Sequence, residues 1–127
     1  MKLSEAKICP QVAVTDMARA REFYEGKLGL SGDTSKGNTG AYRCGDGTVL
    51  SVYESPAHAG KATATQARWD VDDIEGLVDD LSANGVVFEQ YDEPVRTDAK
   101  GIHDTGYSKI AWITDPDGNT FELCQAY

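Results

Sequence analysis

The sequence predicts an α+β fold built from one β-α-β-β-β unit used twice. Three observations carry this reading. Lys109 to Leu123 sets two apolar, β-prone runs on either side of Asp115-Pro116-Asp117-Gly118-Asn119. That cluster offers proline's fixed φ and a glycine able to take φ > 0, so the stretch reads as a hairpin. Ile8 to Val14 and Gln66 to Val71 both alternate with a period of two, and each leads into an acidic cap and a helical apolar stripe. Finally, Val14, Asp16, Met17, Ala20 and Tyr24 match Val71, Asp73, Ile74, Leu77 and Leu81 in class at one fixed offset, the mark of an internal duplication. The competing explanation is chance similarity of two amphipathic helices.

In the first strand Ile8, Pro10, Val12 and Val14 share one face, and Cys9, Gln11 and Ala13 the other. Proline near the start is tolerated there because its missing N–H lies at the strand's beginning. Thr15 and Asp16 can cap a helix whose buried stripe is Met17, Ala20, Phe23, Tyr24 and Leu28, with Gly26 and Gly29 as stops. About three strands follow. Ala41 to Cys44 and Thr48 to Tyr53 flank Gly45-Asp46-Gly47, a good hairpin signal. Ser55 to Thr65 is a small-residue linker.

The second copy then begins. Ala67, Trp69 and Val71 alternate with Gln66, Arg68 and Asp70. Asp72 and Asp73 offer caps, and Asp72 with Glu75 forms a capping box. Ile74, Leu77, Val78 and Leu81 make the helix stripe, Gly85 ends it, and Val86 to Phe88 begins a strand. Glu89 to Ser108 loses its period after about Val95 and reads either as a functional cover or as a solvated excursion. In the hairpin, if Thr114 faces Thr120, Trp112 faces Glu122 on the same side of the sheet. A carboxylate beside an indole on a sheet face is costly unless solvated or used.

At 127 residues the chain has one domain's worth of length. The 12 basic against 21 acidic residues give a formal charge of −9, and the sequence shows no basic patch of the kind nucleic-acid binding needs, so nucleic acid is not the expected partner. Acidity favours cationic ligands through long-range attraction, or serves solubility alone. Cys9, Cys44 and Cys124 form no regular framework. Met1 to Ala6 is too polar for a signal peptide and no apolar run approaches membrane-spanning length, so a reducing cytoplasm with free thiols is expected.

The strand–Val14-Thr15-Asp16–helix with Phe23-Tyr24 and Leu28-Gly29-Leu30, the second Val71-Asp72-Asp73 helix, and Asp115 to Leu123 together resemble the vicinal oxygen chelate superfamily. This is the glyoxalase, bleomycin-resistance and extradiol-dioxygenase group, and the resemblance covers nearly the whole chain. It implies a single domain of two βαβββ modules, about 5–54 and 66–127, forming a cupped mixed sheet with helices on the outer face. It also implies a small-molecule cavity and a homodimer. Metal-dependent members hold a divalent ion on side chains from the first and last strands of each module. Carried onto this sequence, those positions fall on Cys9 (with Gln11 two residues on), Ser51, Gln66 and Glu122.

That set is thin. Glu122 is a good ligand and Gln66 an acceptable neutral donor, but Ser51 is poor and Cys9 offers soft sulfur to an oxygen site. The favoured expectation is therefore a metal-free pocket for a small organic molecule, lined by Cys9, Gln11, Ser51, Tyr53, Gln66, Arg68, His103, Trp112 and Glu122. Tyr91 and Tyr107 lie near it in the reading. Glu122 would meet a cationic or hydroxyl group and Trp112 would stack on a planar one. Ordinary core packing is the alternative for Trp112 and Tyr53, and a neighbouring Arg68 on the same face can hold Glu122. The rival expectation is an enzyme, a glyoxalase-like lyase or dioxygenase. In one version Gln66 and Glu122 bind a divalent metal that polarises a substrate oxygen; in the other Glu122 is a metal-free catalytic general base. A Cys9 nucleophile is a weaker third.

Overall fold

The computed structural model describes residues 1–32 and 40–127, in two compact units, Met1–Gly60 and Lys61–Tyr127. Each unit carries a small mixed sheet and one principal helix, an α+β arrangement of the βαβββ kind.

In the first unit the strands are β1 (Gln11–Val14), β2 (Ala41–Arg43) and β3 (Val49–Glu54), in the order β1-β3-β2. β1 runs parallel to β3, and β2 is antiparallel to it. Val12, Val14, Tyr42, Leu50 and Val52 are buried on one face with Ala20, Phe23 and Tyr24 of the helix. Each large apolar side chain so buried is worth roughly 1.5–3 kcal/mol. The helix α1 (Met17–Arg21) begins where expected: Asp16 caps it, accepting from the Ala18 N–H at 2.8 Å. It then widens into a π-helical turn over Glu22–Lys27, closed by the Leu28 N–H on the Phe23 carbonyl at 2.9 Å. The Gly45–Gly47 turn takes Asp46 to φ 56°, ψ 30° and reverses the chain between β2 and β3. Of the roughly three strands expected after the helix, β2 and β3 are described, and the stretch 33–39 lies outside the described residues; Gly32 bridges Tyr42 just before it.

The first strand is shorter than its alternation. Its last ladder bond runs from the Ser51 N–H to the Pro10 carbonyl at 3.0 Å, and Ile8 is 91% exposed. Periodicity extends past Pro10, but ladder partners do not.

The second unit orders its strands β4-β7-β6-β5. These are β4 (Thr65–Asp70), β5 (Ile102–Asp104), β6 (Ser108–Thr114) and β7 (Thr120–Ala126), with α2 (Ile74–Ala83) between β4 and β5. β4 is parallel to β7, while β6 is antiparallel to β7 and to β5. Ile74, Val78 and Leu81 of α2 are buried, as are Ile102, Ala111, Ile113, Phe121 and Leu123 of one sheet face. The Ile74 N–H donates to the Gln125 side-chain oxygen on that face at 2.9 Å.

Two expectations change here. The α2 cap is Asp73, accepting from the Gly76 N–H at 3.1 Å, not Asp72. Glu75, the second half of the expected capping box, reaches Lys100 at 3.0 Å and Lys109 at 3.5 Å instead. Val86 to Phe88 contributes one bridge, Phe88 to Ile113, rather than a strand. The remaining strand is β5, inside the stretch read as irregular.

The hairpin between β6 and β7 is locked by Asp115, buried together with Asn119. Its Oδ1 accepts N–H bonds from Asp117 (2.9 Å) and Asn119 (2.8 Å), and its Oδ2 accepts from Asn119 Nδ2 at 2.8 Å. Gly118 supplies the positive φ, 88°.

Candidate functional site

Register and alternation fix which side chains share a sheet face. In the second unit, Arg68 stands beside Glu122 and Glu122 beside Trp112 in one row across β4, β7 and β6. The next row on that face is Asp70, Cys124, Ile110 and His103. The opposite face is the one buried with α2, and this one is left partly open. The pairing of Trp112 with Glu122 is the one the hairpin signal requires, because the locked turn sets Thr114 against Thr120.

Trp112 is the centre of an aromatic group. The Tyr91 ring meets it edge-on with centroids 5.5 Å apart, and the His103 ring lies against it at 6.4 Å and 29°. Burial, and secondarily the Glu89 carboxylate, push the Tyr91 phenol above its usual range. Tyr91 sits on a loop closed on itself: its N–H donates to Thr97 Oγ1 at 2.8 Å and its carbonyl accepts from the Thr97 N–H at 3.0 Å. His103 is held from the other side by Nδ1, 2.8 Å from the Arg96 carbonyl.

Glu122 is half-buried, and its carboxylate makes no hydrogen bond or ion pair among the described residues. Arg68, placed to neutralise it, turns to Asp70 instead, with Nε 2.8 Å from Oδ1. Gln66 is the extra residue of a bulge, since Thr65 pairs with Thr120 and Ala67 already with Phe121. Its side-chain amide donates to the Ala64 carbonyl at 3.3 Å.

A cavity of about 800 Å³ opens at the β5 edge, walled by Pro94, Thr97, Ile102, His103 and Lys109 among others. His103 belongs both to this wall and to the aromatic group, whereas Glu122 and Trp112 are not in the cavity lining.

In the first unit Gln11 and Ser51 are register partners, and Tyr53, 43% exposed, shares their face. Cys9 precedes β1 and is exposed. Tyr107 is 85% exposed.

In its own sheet row Glu122 has no second ligand for a divalent cation. Its neighbours in the row are a guanidinium and an indole, neither able to coordinate, and Gln66, whose Nε2 donates to the Ala64 carbonyl, offers only its neutral Oε1. Among the described residues no three His, Cys, Asp or Glu side chains gather as a metal site. The arrangement can stack a planar group on Trp112 and meet a donor or cation with Glu122. Sequence reasoning missed the Arg68–Asp70 pair, although an i, i+2 spacing in a strand puts both on one face. It also missed the Arg96 carbonyl, for which no side-chain pattern exists.

Solved structures share the fold. A glyoxalase/bleomycin resistance protein from Catenulispora acidiphila is 24% identical, with a TM-score of 0.69 over 97% of this chain and 100% of that one. A genomically encoded fosfomycin resistance protein from Listeria monocytogenes is 14% identical, with a TM-score of 0.67 over 97% of this chain and 94% of its own. An antibiotic binding protein from Streptomyces is 19% identical, with a TM-score of 0.63 over 97% and 98%. No curated protein matches the chain. The family model described as Glyoxalase/Bleomycin resistance protein/Dioxygenase superfamily matches residues 8–123. With nearly its whole length matched, and with the paired βαβββ topology, the chain belongs to that superfamily.

Proposed function

We propose that this protein binds a small planar organic molecule, without a metal, on the second-unit face that carries Trp112 and Glu122. The observation that carries the reading is the half-buried Glu122 carboxylate, unpaired among the described residues, beside an indole already braced by two rings. A carboxylate so placed has its hydrogen-bonding capacity available for a ligand's cationic or hydroxyl group, and a braced Trp112 loses little freedom on stacking. The fold neighbours include an antibiotic binding protein, a use of the fold compatible with this reading.

The second reading is a metal-free enzyme in which Glu122 is the general base. It rests on the same unpaired carboxylate and requires a substrate C–H or O–H within hydrogen-bond reach. A homodimer completes the proposal, and its place in a reducing cytoplasm is supported by three free cysteines, one of them exposed.

Isothermal titration with proflavine, a planar cation, tests the binding reading. Wild-type protein is expected to give saturable heat, with Trp112→Ala and Glu122→Gln each weakening affinity about tenfold, on the scale of one lost charge-assisted hydrogen bond or stacking contact. Absence of heat with a panel of planar cations overturns it.

A further inference from the structure

The hydrogen bond at His103 fixes more than the ring's orientation. A backbone carbonyl only accepts, so the 2.8 Å contact with the Arg96 oxygen requires the proton on Nδ1. In the neutral ring Nε2 is then a bare acceptor. It has no protein partner among the described residues, in a half-buried side chain that both lines the 800 Å³ cavity and lies against Trp112. The Arg96 carbonyl anchors one edge of the imidazole and the indole supports its face, so the acceptor is held in place before any ligand arrives.

We propose that His103 is a ligand-contacting residue whose Nε2 accepts a hydrogen bond from a phenolic or enolic hydroxyl on the planar molecule stacked at Trp112. This rests on the binding reading above and narrows its ligand class to hydroxylated aromatics. The hydroxyl donor distinguishes the site from a plain aromatic slot: a ligand without one leaves the imidazole acceptor unpaired when water is displaced. The Arg96 carbonyl is a positioning group, acting through the tautomer it selects.

Calorimetry with 2-naphthol and 2-methoxynaphthalene separates the two ideas, because the pair differs chiefly in the hydroxyl proton. Wild type is expected to bind 2-naphthol at least about tenfold more tightly, the size of one unmade buried hydrogen bond. His103→Asn keeps a donor for the Arg96 carbonyl but removes the distal acceptor, and should abolish the preference. His103→Gln places an amide oxygen near the Nε2 position and should restore part of it. Equal affinities in the wild type overturn the role of His103 while leaving binding at Trp112 intact. If neither compound binds while proflavine does, the hydroxylated-aromatic refinement falls and the planar-cation reading stands. Long-range 1H–15N NMR of the neutral ring gives an independent check: a proton on Nε2 rather than Nδ1 refutes the assignment whatever the ligand does.

Discussion

Arg68 and Glu122 are register partners in the parallel β4–β7 pair, yet the Arg68 guanidinium bonds Asp70, 2.8 Å away on its own strand. Asp70 therefore keeps the Glu122 carboxylate free. Asp70→Ala should release Arg68 toward Glu122 and weaken proflavine binding about two- to fivefold, the scale of one exposed ion pair. The double variant with Arg68→Ala should recover the loss. Unchanged affinity in Asp70→Ala would show that Asp70 has no such part.

The site's geometry depends on a turn some distance from it. Asp115→Ala strands three donors that now bond the buried carboxylate. A loss of about 3 kcal/mol, or a fall in Tm of about 10 °C, is expected. Because this turn sets Trp112 against Glu122, the variant should also lose ligand heat at temperatures where circular dichroism still reports strands. A Tm within about 2 °C of wild type would contradict the role given to the turn.

Two glycines with the same backbone angle separate strain from collision. Gly101 and Gly106 have φ of 90° and 89°. A Cβ on Gly106 meets nothing within 4 Å, whereas one on Gly101 would lie 2.8 Å from the Phe88 Cβ and 3.0 Å from the Glu89 carbonyl oxygen. Gly106→Ala should cost about 1 kcal/mol from the left-handed φ alone, and Gly101→Ala at least about 2 kcal/mol more. Chemical denaturation measures both, and equal losses would remove the steric argument. Gly101 also precedes β5, so its replacement should displace His103.

Tyr42 gives a pH signature. Burial, followed by the 3.0 Å hydrogen bond to Glu25, raises its phenol from 10.0 to about 12. The folded state favours the neutral phenol, so this contribution to stability is fully present below pH 10.0 and is lost as pH rises through about 12. Ultraviolet titration should show a tyrosine step near pH 12 that Tyr42→Phe deletes. A single ionisation near 10 for every tyrosine would refute it.

Much of the fold was legible because its punctuation is local. Asp115 to Asn119 announces the hairpin, and its turn chemistry sets a register that carries Trp112 to Glu122. The Asp16 cap and the Asp46 turn are equally short-range. Strand β5 was not legible, because Ile102-His103-Asp104 is too brief to show a period and is identified only by its pairing with β6. Val86 to Phe88 has strand composition but only one bridging partner. The site was half visible for the same reason. Glu122 and Trp112 come from a hairpin, whereas the contacts of His103 with Arg96 and of Tyr91 with Trp112 depend on how a loop returns to the sheet.

Strands β1-β3-β2 of one sheet match β4-β7-β6 of the other in order and direction, and matching positions can be compared directly. Ser51 lies between Gln11 and Ala41 as Glu122 lies between Arg68 and Trp112. One copy thus bears the acid and the indole, while its twin has a hydroxyl and a methyl in the same berths. Such unequal outfitting of matching strands leaves the plainer half a natural recipient for engineering, where a second recognition surface could be installed without redrawing a strand.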